Sequence, residues 1–351
     1  MRRLRIEVER YGTILEPLGE MEAEGILNPG CVRGRDGGLY LFPRMVARGN
    51  YSRIGVARVK FDNRGRPIGA ERLGIALEPT EEYERNGSAG GCEDPRVVYL
   101  EALKTYVMTY TALTGNGARV AIATSPDLVT WSKQGLARFH PFGEIDIGAL
   151  NNKDAGFFPM PTPNVSGTAS IAMVHRPLFP EAELEKLRCD SQSRRADLMK
   201  ESIWVSFSTC ALDQSRCHEE RCAGLCDFEQ HIRIAGPEQG WEKLKIGLGS
   251  PPTLLGSDFL LVYHGVSENS ESLVYSAGAM TLDPGCVHLI RERTESPFLV
   301  PELDHEREGT VRNVVFPTGI DPVPNTKDSY DLYYGMADYR IGCCRIKVQA
   351  D

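Results

Sequence analysis

The chain has no uninterrupted apolar run that approaches membrane-spanning length. Its first segment, Met1 to Glu20, is charged and lacks an apolar h-region, so it does not read as a signal peptide. Basic residues are not in excess: 40 Lys and Arg stand against 48 Asp and Glu, a net charge of -8. That balance argues against a general nucleic-acid binder and against docking on an anionic membrane surface. The 10 cysteines follow no framework spacing and include no C-x2-C pair. Reduced thiols in a cytoplasmic protein are the expectation. Regular alternation of strands with helices is also missing, which excludes a parallel α/β sheet.

What is present is a texture of short β-like runs punctuated by Gly, Pro, Asp and Asn. Gly38 to Phe42, Thr105 to Tyr110, Ser202 to Phe207, Phe259 to Tyr263 and Asp331 to Tyr334 are rich in aromatic and β-branched residues. One strand pattern followed by an Asp turn recurs at Ser52–Ala57, Arg119–Asp127, Ser202–Ser208 (before Asp213) and Ser272–Ala277. A second echo is a strand reaching a Phe-Pro pair, at Phe42-Pro43, Phe158-Pro159 and Phe316-Pro317. Four strands per unit at this spacing describe propeller blades, about five for 351 residues. The expected fold is all-β: a single five-bladed β-propeller domain over residues 1–351 with a short helical insertion. Leu4 to Leu18 has no partner of its own and is expected to complete the last blade near Asp331 to Val348, closing the ring. Residues 181–200 read as the helical insertion, and residues 214–230 as a Cys-rich loop insertion.

Gly90-Gly91-Cys92-Glu93-Asp94-Pro95-Arg96 sets two acids and a base between a glycine pair and an apolar run. The glycines allow a close backbone approach, and Pro95 is expected to hold Asp94 extended. The cluster reads either as a structural ion pair or as a fixed catalytic acid. The Cys-rich insert holds Cys217, His218, Cys222, Cys226 and His231, but the spacings match no strong zinc pattern, so no metal is expected. Cys343-Cys344 reads as strand packing. Lys153, Arg176, Lys245 and His264 each lie beside Gly or Pro turns at strand edges. Strand ends of a propeller converge on one mouth. Cations gathered there, with nothing acidic to neutralise them, predict an anion, most simply phosphate.

The ordered series Asn28-Pro29-Gly30, Gly91 to Arg96, Lys153-Asp154 with Phe158-Pro159, His175-Arg176-Pro177, Lys245 to Gly249, Tyr263-His264-Gly265 and Tyr334 to Asp338 resembles glycoside hydrolase family 130. These are the β-mannoside phosphorylases, built as five-bladed propellers. The resemblance runs over nearly the whole chain and implies a role for each motif. Asp94 is similar to the family's general acid. Lys153, Arg176, Lys245 and His264 resemble its phosphate ligands. Asn28, Arg44, Glu93, Arg96, Asp154 and Asp338 resemble residues around the mannosyl unit, with Arg96 ordering the acid loop. The two insertions have no counterpart in the family pattern.

Inverting hydrolysis needs two carboxylates, one to protonate the leaving oxygen and one to activate water. Phosphorolysis needs only the first, because phosphate is already an anionic nucleophile. The implied reaction is therefore a β-mannoside plus phosphate giving α-mannose 1-phosphate with inversion. In the family the acid acts through a sugar hydroxyl. No cofactor is expected beyond inorganic phosphate as co-substrate. The expected partners are a β-mannoside oligosaccharide and phosphate, with no nucleic acid and no membrane; the insertions leave a homo-oligomer open. The rival readings are an inverting β-mannosidase on the same fold and a non-catalytic glycan-binding propeller.

Overall fold

In the computed structural model the described residues are 4–87, 89–186, 196–210, 212, 224–270 and 272–349. Almost all regular structure in them is strand, and the chain is all-β. Five antiparallel four-stranded sheets follow one another. Sheet I is β2 (Gly25–Arg33), β3 (Leu39–Ala47), β4 (Tyr51–Phe61) and β5 (Pro67–Leu77). Sheet II is β7 (Ala89–Leu100), β8 (Thr105–Thr114), β9 (Gly117–Ser125) and β10 (Ser132–Leu136), with the short β6 (Arg85–Asn86) on β7. A parallel contact, Tyr51 to Gly90 and Ser52 to Gly91, joins sheets I and II. Sheet III is β12 (Asn152–Phe157), β15 (Ala172–Pro177), β16 (Ile203–Ser208) and β17 (Asp227–Ala235), with β11 (Arg138–Phe139) alongside β17. Two short strands, β13 (Thr162–Pro163) and β14 (Ala169–Ser170), pair between its first members. Sheet IV is β18 (Lys245–Leu248), β20 (Asp258–Glu268), β21 (Leu273–Asp283) and β22 (Cys286–Arg293), with β19 (Thr253–Leu255) on β20. Sheet V is β23 (Val315–Pro322), β24 (Ser329–Met336), β25 (Arg340–Gln349) and, from the start of the chain, β1 (Arg5–Leu15). Arg5 pairs with Gln349 and Leu15 with Ile341, the expected pairing of the first segment with the last strands.

The apolar core is divided among the seams between sheets. Phe42, Ile54 and Leu77 of sheet I pack on Val97, Met108 and Ala121 of sheet II. Val107 and Ile122 meet Phe157, Trp204 and Phe228 across the II–III seam. Val205 and Phe207 meet Ile246 and Leu261 across III–IV. Val262 and Ala279 meet Leu332 and Ile346 across IV–V. Finally Tyr333 and Cys343 of sheet V meet Leu39 and Leu41 of sheet I. Alternate residues of each middle strand thus face two different neighbours, which is why these strands read as nearly continuous apolar runs. Cys343 and Cys344 are buried on opposite sides, as packing residues.

The recurring strand pattern proves to be one position, the third strand of sheets I to IV (β4, β9, β16, β21); Asp213 lies outside the described residues. The Phe-Pro echo is not one position. Phe316-Pro317 is in the first strand of its sheet, Phe158-Pro159 directly follows one, and Phe42-Pro43 is in a second strand. The helical insertion begins as α1 (Glu181–Leu184), and residues 187–195 lie outside the described residues. So do 213–223, and with them Cys217, His218 and Cys222. His231 is already engaged: Nδ1 meets the Ser206 hydroxyl and Nε2 the His140 carbonyl. No helix among the described residues is long and apolar enough to cross a membrane.

A stronger repeat than either echo precedes each sheet. Pro-x4-Glu or Pro-x4-Asp occurs at Pro17–Glu22, Pro79–Glu84, Pro141–Asp146, Pro237–Glu242 and Pro301–Glu306. The spacing is even except for the step after Pro141, which contains both insertions. Four of the acids are buried glutamates in or beside a tight turn. Glu306 accepts from the Glu302 and Leu303 amides, from the Tyr334 hydroxyl at 2.9 Å and from Arg10 at 3.1 Å. Glu84 does the same with Glu81, Tyr110 and Lys133, and Glu242 with Glu238, Tyr263 and Arg293. Glu22 takes Leu18 and Arg72. Each glutamate therefore ties the entering turn to its sheet's outer strand, and three of them also to the second strand. Charge-assisted bonds to a buried carboxylate are the stronger kind. Tyr334→Phe is expected to lower stability by about 1–3 kcal/mol, measured from the urea midpoint, because it leaves a buried carboxylate one donor short.

Candidate active site

The first strands β23, β2, β7, β12 and β18 neighbour one another in succession. Three of them skip two residues in register, the first of the two polar: between Leu27 and Gly30, between Glu93 and Arg96, and between Lys153 and Gly156. At each break one residue adopts the left-handed backbone: Asn28 (φ 46°), Asp94 (φ 48°) and Asp154 (φ 51°). Asp338 (φ 48°), in the turn between β24 and β25, does likewise. Asn and Asp tolerate this region better than other side chains, although it still costs about 1–2 kcal/mol per residue. Four such residues around one hollow mark a place where strain has been kept. Asp94 is thus not held extended by Pro95, as the proline suggested. The bulge needs an extra residue opposite one partner, and that demand overrides the preference imposed by the following proline. The glycines before it behave as expected: a Cβ on Gly91 (φ 121°) would sit 2.0 Å from the Ser52 carbonyl oxygen.

The bulges open onto a cavity of about 150 Å³ lined by Asn28, Arg44, Glu93, Asp94, Lys153, Asp154, Arg176, Lys245, His264 and Asp338, together with Tyr275, Val314 and Phe316. Ten of the eleven residues singled out from the sequence meet here. Arg96 does not line the cavity. It is 1% exposed and lies behind the wall, donating to the Asp94 carbonyl at 2.7 Å and to the Gly249 and Leu248 carbonyls. It fixes the acid loop against sheet IV. A larger hollow of about 430 Å³ beside Tyr83 and Asn116 gathers no comparable charge cluster.

One half of the cavity is acidic. Asp94 Oδ1 accepts from Asn28 Nδ2 at 2.9 Å and from Arg44 at 3.3 Å. Arg44 also donates to Glu93 at 2.6 Å and to the Ser52 hydroxyl. Burial pushes the Glu93 carboxyl up, with Arg44 pulling it back. Burial and the neighbouring Asp94 push Asp338 up to about 6. The second strand of sheet V leaves no slack here: a Cβ on Gly335 would meet Asn28 Oδ1 at 2.1 Å.

The other half is basic and comes from two adjacent sheets. Lys153 and Arg176 are directly opposed on β12 and β15. Lys245 and His264 face in from β18 and β20. The Lys245 ammonium lies 5.7 Å from the centre of the Tyr275 ring, and His264 packs on Phe316 with centroids 4.5 Å apart. The expectation that nothing acidic neutralises these groups does not hold. Asp154, 2% exposed, sits among them, accepting from Arg176 Nε at 2.6 Å, with His264 at 3.7 Å and Arg96 at 3.8 Å. Burial alone would raise this carboxyl, but Arg176 foremost holds it well below the usual range. Arg176 is also ion-paired to Glu201. Burial lowers Lys245, and burial drives His264 down to about 3, so that imidazole is neutral at pH 7. Two buried polar atoms of lining residues, Asn28 Oδ1 and His264 Nδ1, have no hydrogen-bond partner in the protein.

Tyr275, Val314 and Phe316 were not found from the sequence. Tyr275 and Phe316 lie in strands that look like ordinary packing strands, Val314 lies just before one, and only the packing of the sheets turns these side chains toward the cavity. The Asn-Pro, Asp-Pro and Asp-Ala bulges at 28, 94 and 154 would have been a usable signal, since each precedes a glycine or arginine at the same offset.

A family model described as beta-1,4-mannooligosaccharide phosphorylase matches residues 20–350. A 1,2-beta-oligomannan phosphorylase of a Thermoanaerobacter species is 28% identical over 276 residues, 78% of this chain and 73% of that protein. The solved beta-1,2-mannobiose phosphorylase from Listeria innocua, in complex with beta-1,2-mannobiose, superposes with a TM-score of 0.70 at 22% identity, covering 97% of both chains. A further structure (TM-score 0.71, 22% identity, 97% and 93% coverage) is described as belonging to a family of mannoside phosphorylases that contains glycoside hydrolases targeting beta-1,2 mannosidic linkages in Candida mannan.

Proposed function

This chain belongs to glycoside hydrolase family 130, and from that membership we propose that its cavity carries out inverting phosphorolysis of β-mannosides to α-mannose 1-phosphate. The five sheets are the blades of one five-bladed propeller, and the cavity lies where their first strands meet. One observation carries the reading: the acid loop and four basic side chains line the same small hollow, the acid on one side and the bases on the other.

Asp94 is the proton donor. Its bulge and its bonds from Asn28 and Arg44 aim one carboxylate oxygen and leave the other open to the sugar. Asn28, Arg44, Glu93 and Asp338 hold the mannosyl unit. Asp338, with its carboxyl near 6, donates a hydrogen bond to a sugar oxygen at lower pH and accepts one at higher pH. Lys153, Arg176, Lys245 and His264 hold phosphate behind the anomeric carbon. Orientation supplies much of the rate, and the cations offset charge in the transition state. His264 contributes as a neutral N–H donor, a role that needs no proton uptake. Asp154 and Arg96 are positioning residues: Asp154 fixes Arg176, and Arg96 fixes the acid loop. The same reading puts the enzyme in the cytoplasm, where phosphate is at hand.

The test is incubation with β-1,2- and β-1,4-mannobiose with and without inorganic phosphate. Product is expected only with phosphate, as α-mannose 1-phosphate. Release of free mannose at the same rate without phosphate would make the enzyme a hydrolase.

A further inference from the structure

The unabsorbed feature of the site is Glu201. It lies two residues before β16, and its backbone is bridged to Lys245 of the next sheet, its carbonyl accepting from the Ile246 amide at 3.1 Å. Its side chain pairs with Arg176 of β15, the neighbouring strand of the same sheet. Arg176 thus carries two carboxylates, Asp154 on Nε and Glu201 on Nη1. A guanidinium offers five N–H groups in a fixed fork, and a bidentate grip on a tetrahedral oxyanion uses two neighbouring nitrogens. With Nε on Asp154 and Nη1 on Glu201, phosphate must share Arg176 with two carboxylates, whose negative charge opposes an incoming anion. Release of one carboxylate would free both the donor and the charge for phosphate.

The two differ in what leaving costs. The Asp154 side chain is 2% exposed and is held by Arg96 and His264 as well. Moving it would strand a charge in the interior. The Glu201 side chain is 27% exposed, has no other ion pair among the described residues, and can turn to water. We propose that Glu201 is a built-in competitor for phosphate: it holds Arg176 while the site is empty and swings out when phosphate arrives, so it sets the affinity for that substrate. This rests on the phosphorolytic reading above. It follows that Glu201 lowers phosphate occupancy without taking part in glycosidic bond cleavage.

The experiment is steady-state phosphorolysis of mannobiose at varied inorganic phosphate, with calorimetric titration of phosphate into the sugar-free protein. In Glu201→Gln, the KM for phosphate is expected to fall about five-fold, the scale of one partly exposed charge pair, with a parallel gain in calorimetric affinity and a smaller change in kcat. Glu201→Asp keeps the charge on a shorter reach and should fall between the two. An unchanged or higher phosphate KM in Glu201→Gln overturns the proposal, and an increase would make Glu201 a group that orients Arg176. A fall in kcat of about 100-fold or more also overturns it, since it would make Glu201 a base. If the wild-type protein releases mannose without phosphate and binds none by calorimetry, the phosphorolytic reading has failed and this inference falls with it. Failure of the inference alone leaves wild-type turnover dependent on phosphate.

Discussion

Asp94→Asn is expected to lose about 10³-fold or more in kcat/KM while keeping its fold, because it removes the proposed proton donor and little else. Asn suits the left-handed backbone that Asp94 adopts. Its side-chain oxygen still accepts from Asn28 and Arg44, and Arg44 keeps its bond to Glu93. The far-UV spectrum and the thermal midpoint should therefore stay near wild type. That combination separates chemistry from folding. Residual activity within ten-fold of wild type would mean that another group donates the proton, and Asp338, across the same hollow, would be the first to examine.

Arg176→Ala should be costly in two independent ways. Phosphate turnover should fall by about 10²-fold or more through loss of a preorganised cation. Stability should fall by about 3–5 kcal/mol, because Asp154 is left as a buried carboxylate without its closest partner. The pH dependence follows in sign. The folded-state pKa of Asp154 lies below the unfolded one, so its stabilisation is fully present above the ordinary carboxylate range, near 4, and is lost as pH falls through the folded value. In Arg176→Ala the folded-state value rises, so the variant loses most at neutral pH and differs least from wild type in acid. Adding Asp154→Asn to Arg176→Ala should recover much of the stability and none of the phosphate turnover. Urea midpoints from pH 3 to 8 check this; equal stability of wild type and the single variant at pH 7 would show that Asp154 does not depend on Arg176.

How much of this was legible in the sequence depends on the range of the interaction concerned. Strands such as Phe259 to Tyr263 are written in local composition, and they form where expected. The closing pair of Leu4–Leu18 with the last strands followed from counting unpaired elements. The Pro-x4-Glu turns were equally legible and carry the clearest period, but a charged turn before a strand looks like ordinary solvated loop until Tyr110, Tyr263 and Tyr334 are seen to bury it. For the site, acids and cations could be named one by one. What could not be read was where each points. At 28, 94 and 154 a register break turns the side chain inward, and register depends on the partner strand. The same limit hid Asp154 as the counter-ion of Arg176, and it hid Tyr275 and Phe316 among residues that elsewhere are packing.

The seam where Arg5 pairs with Gln349 has a consequence for how the molecule comes into being. Sheets I to IV each draw their strands from one continuous stretch, so each can assemble as it leaves the ribosome. The fifth cannot. Its outer strand is made first and waits for partners made last, with the largest loop-closure entropy in the chain. Until then both Leu41 of sheet I and Tyr333 of sheet V have an uncovered seam. The cavity also stays open on the side of Asp338, which lies between β24 and β25. Completion of the cavity is therefore tied to the least local step of folding, and a chain that has not closed the seam has its first four sheets but not the whole cavity wall.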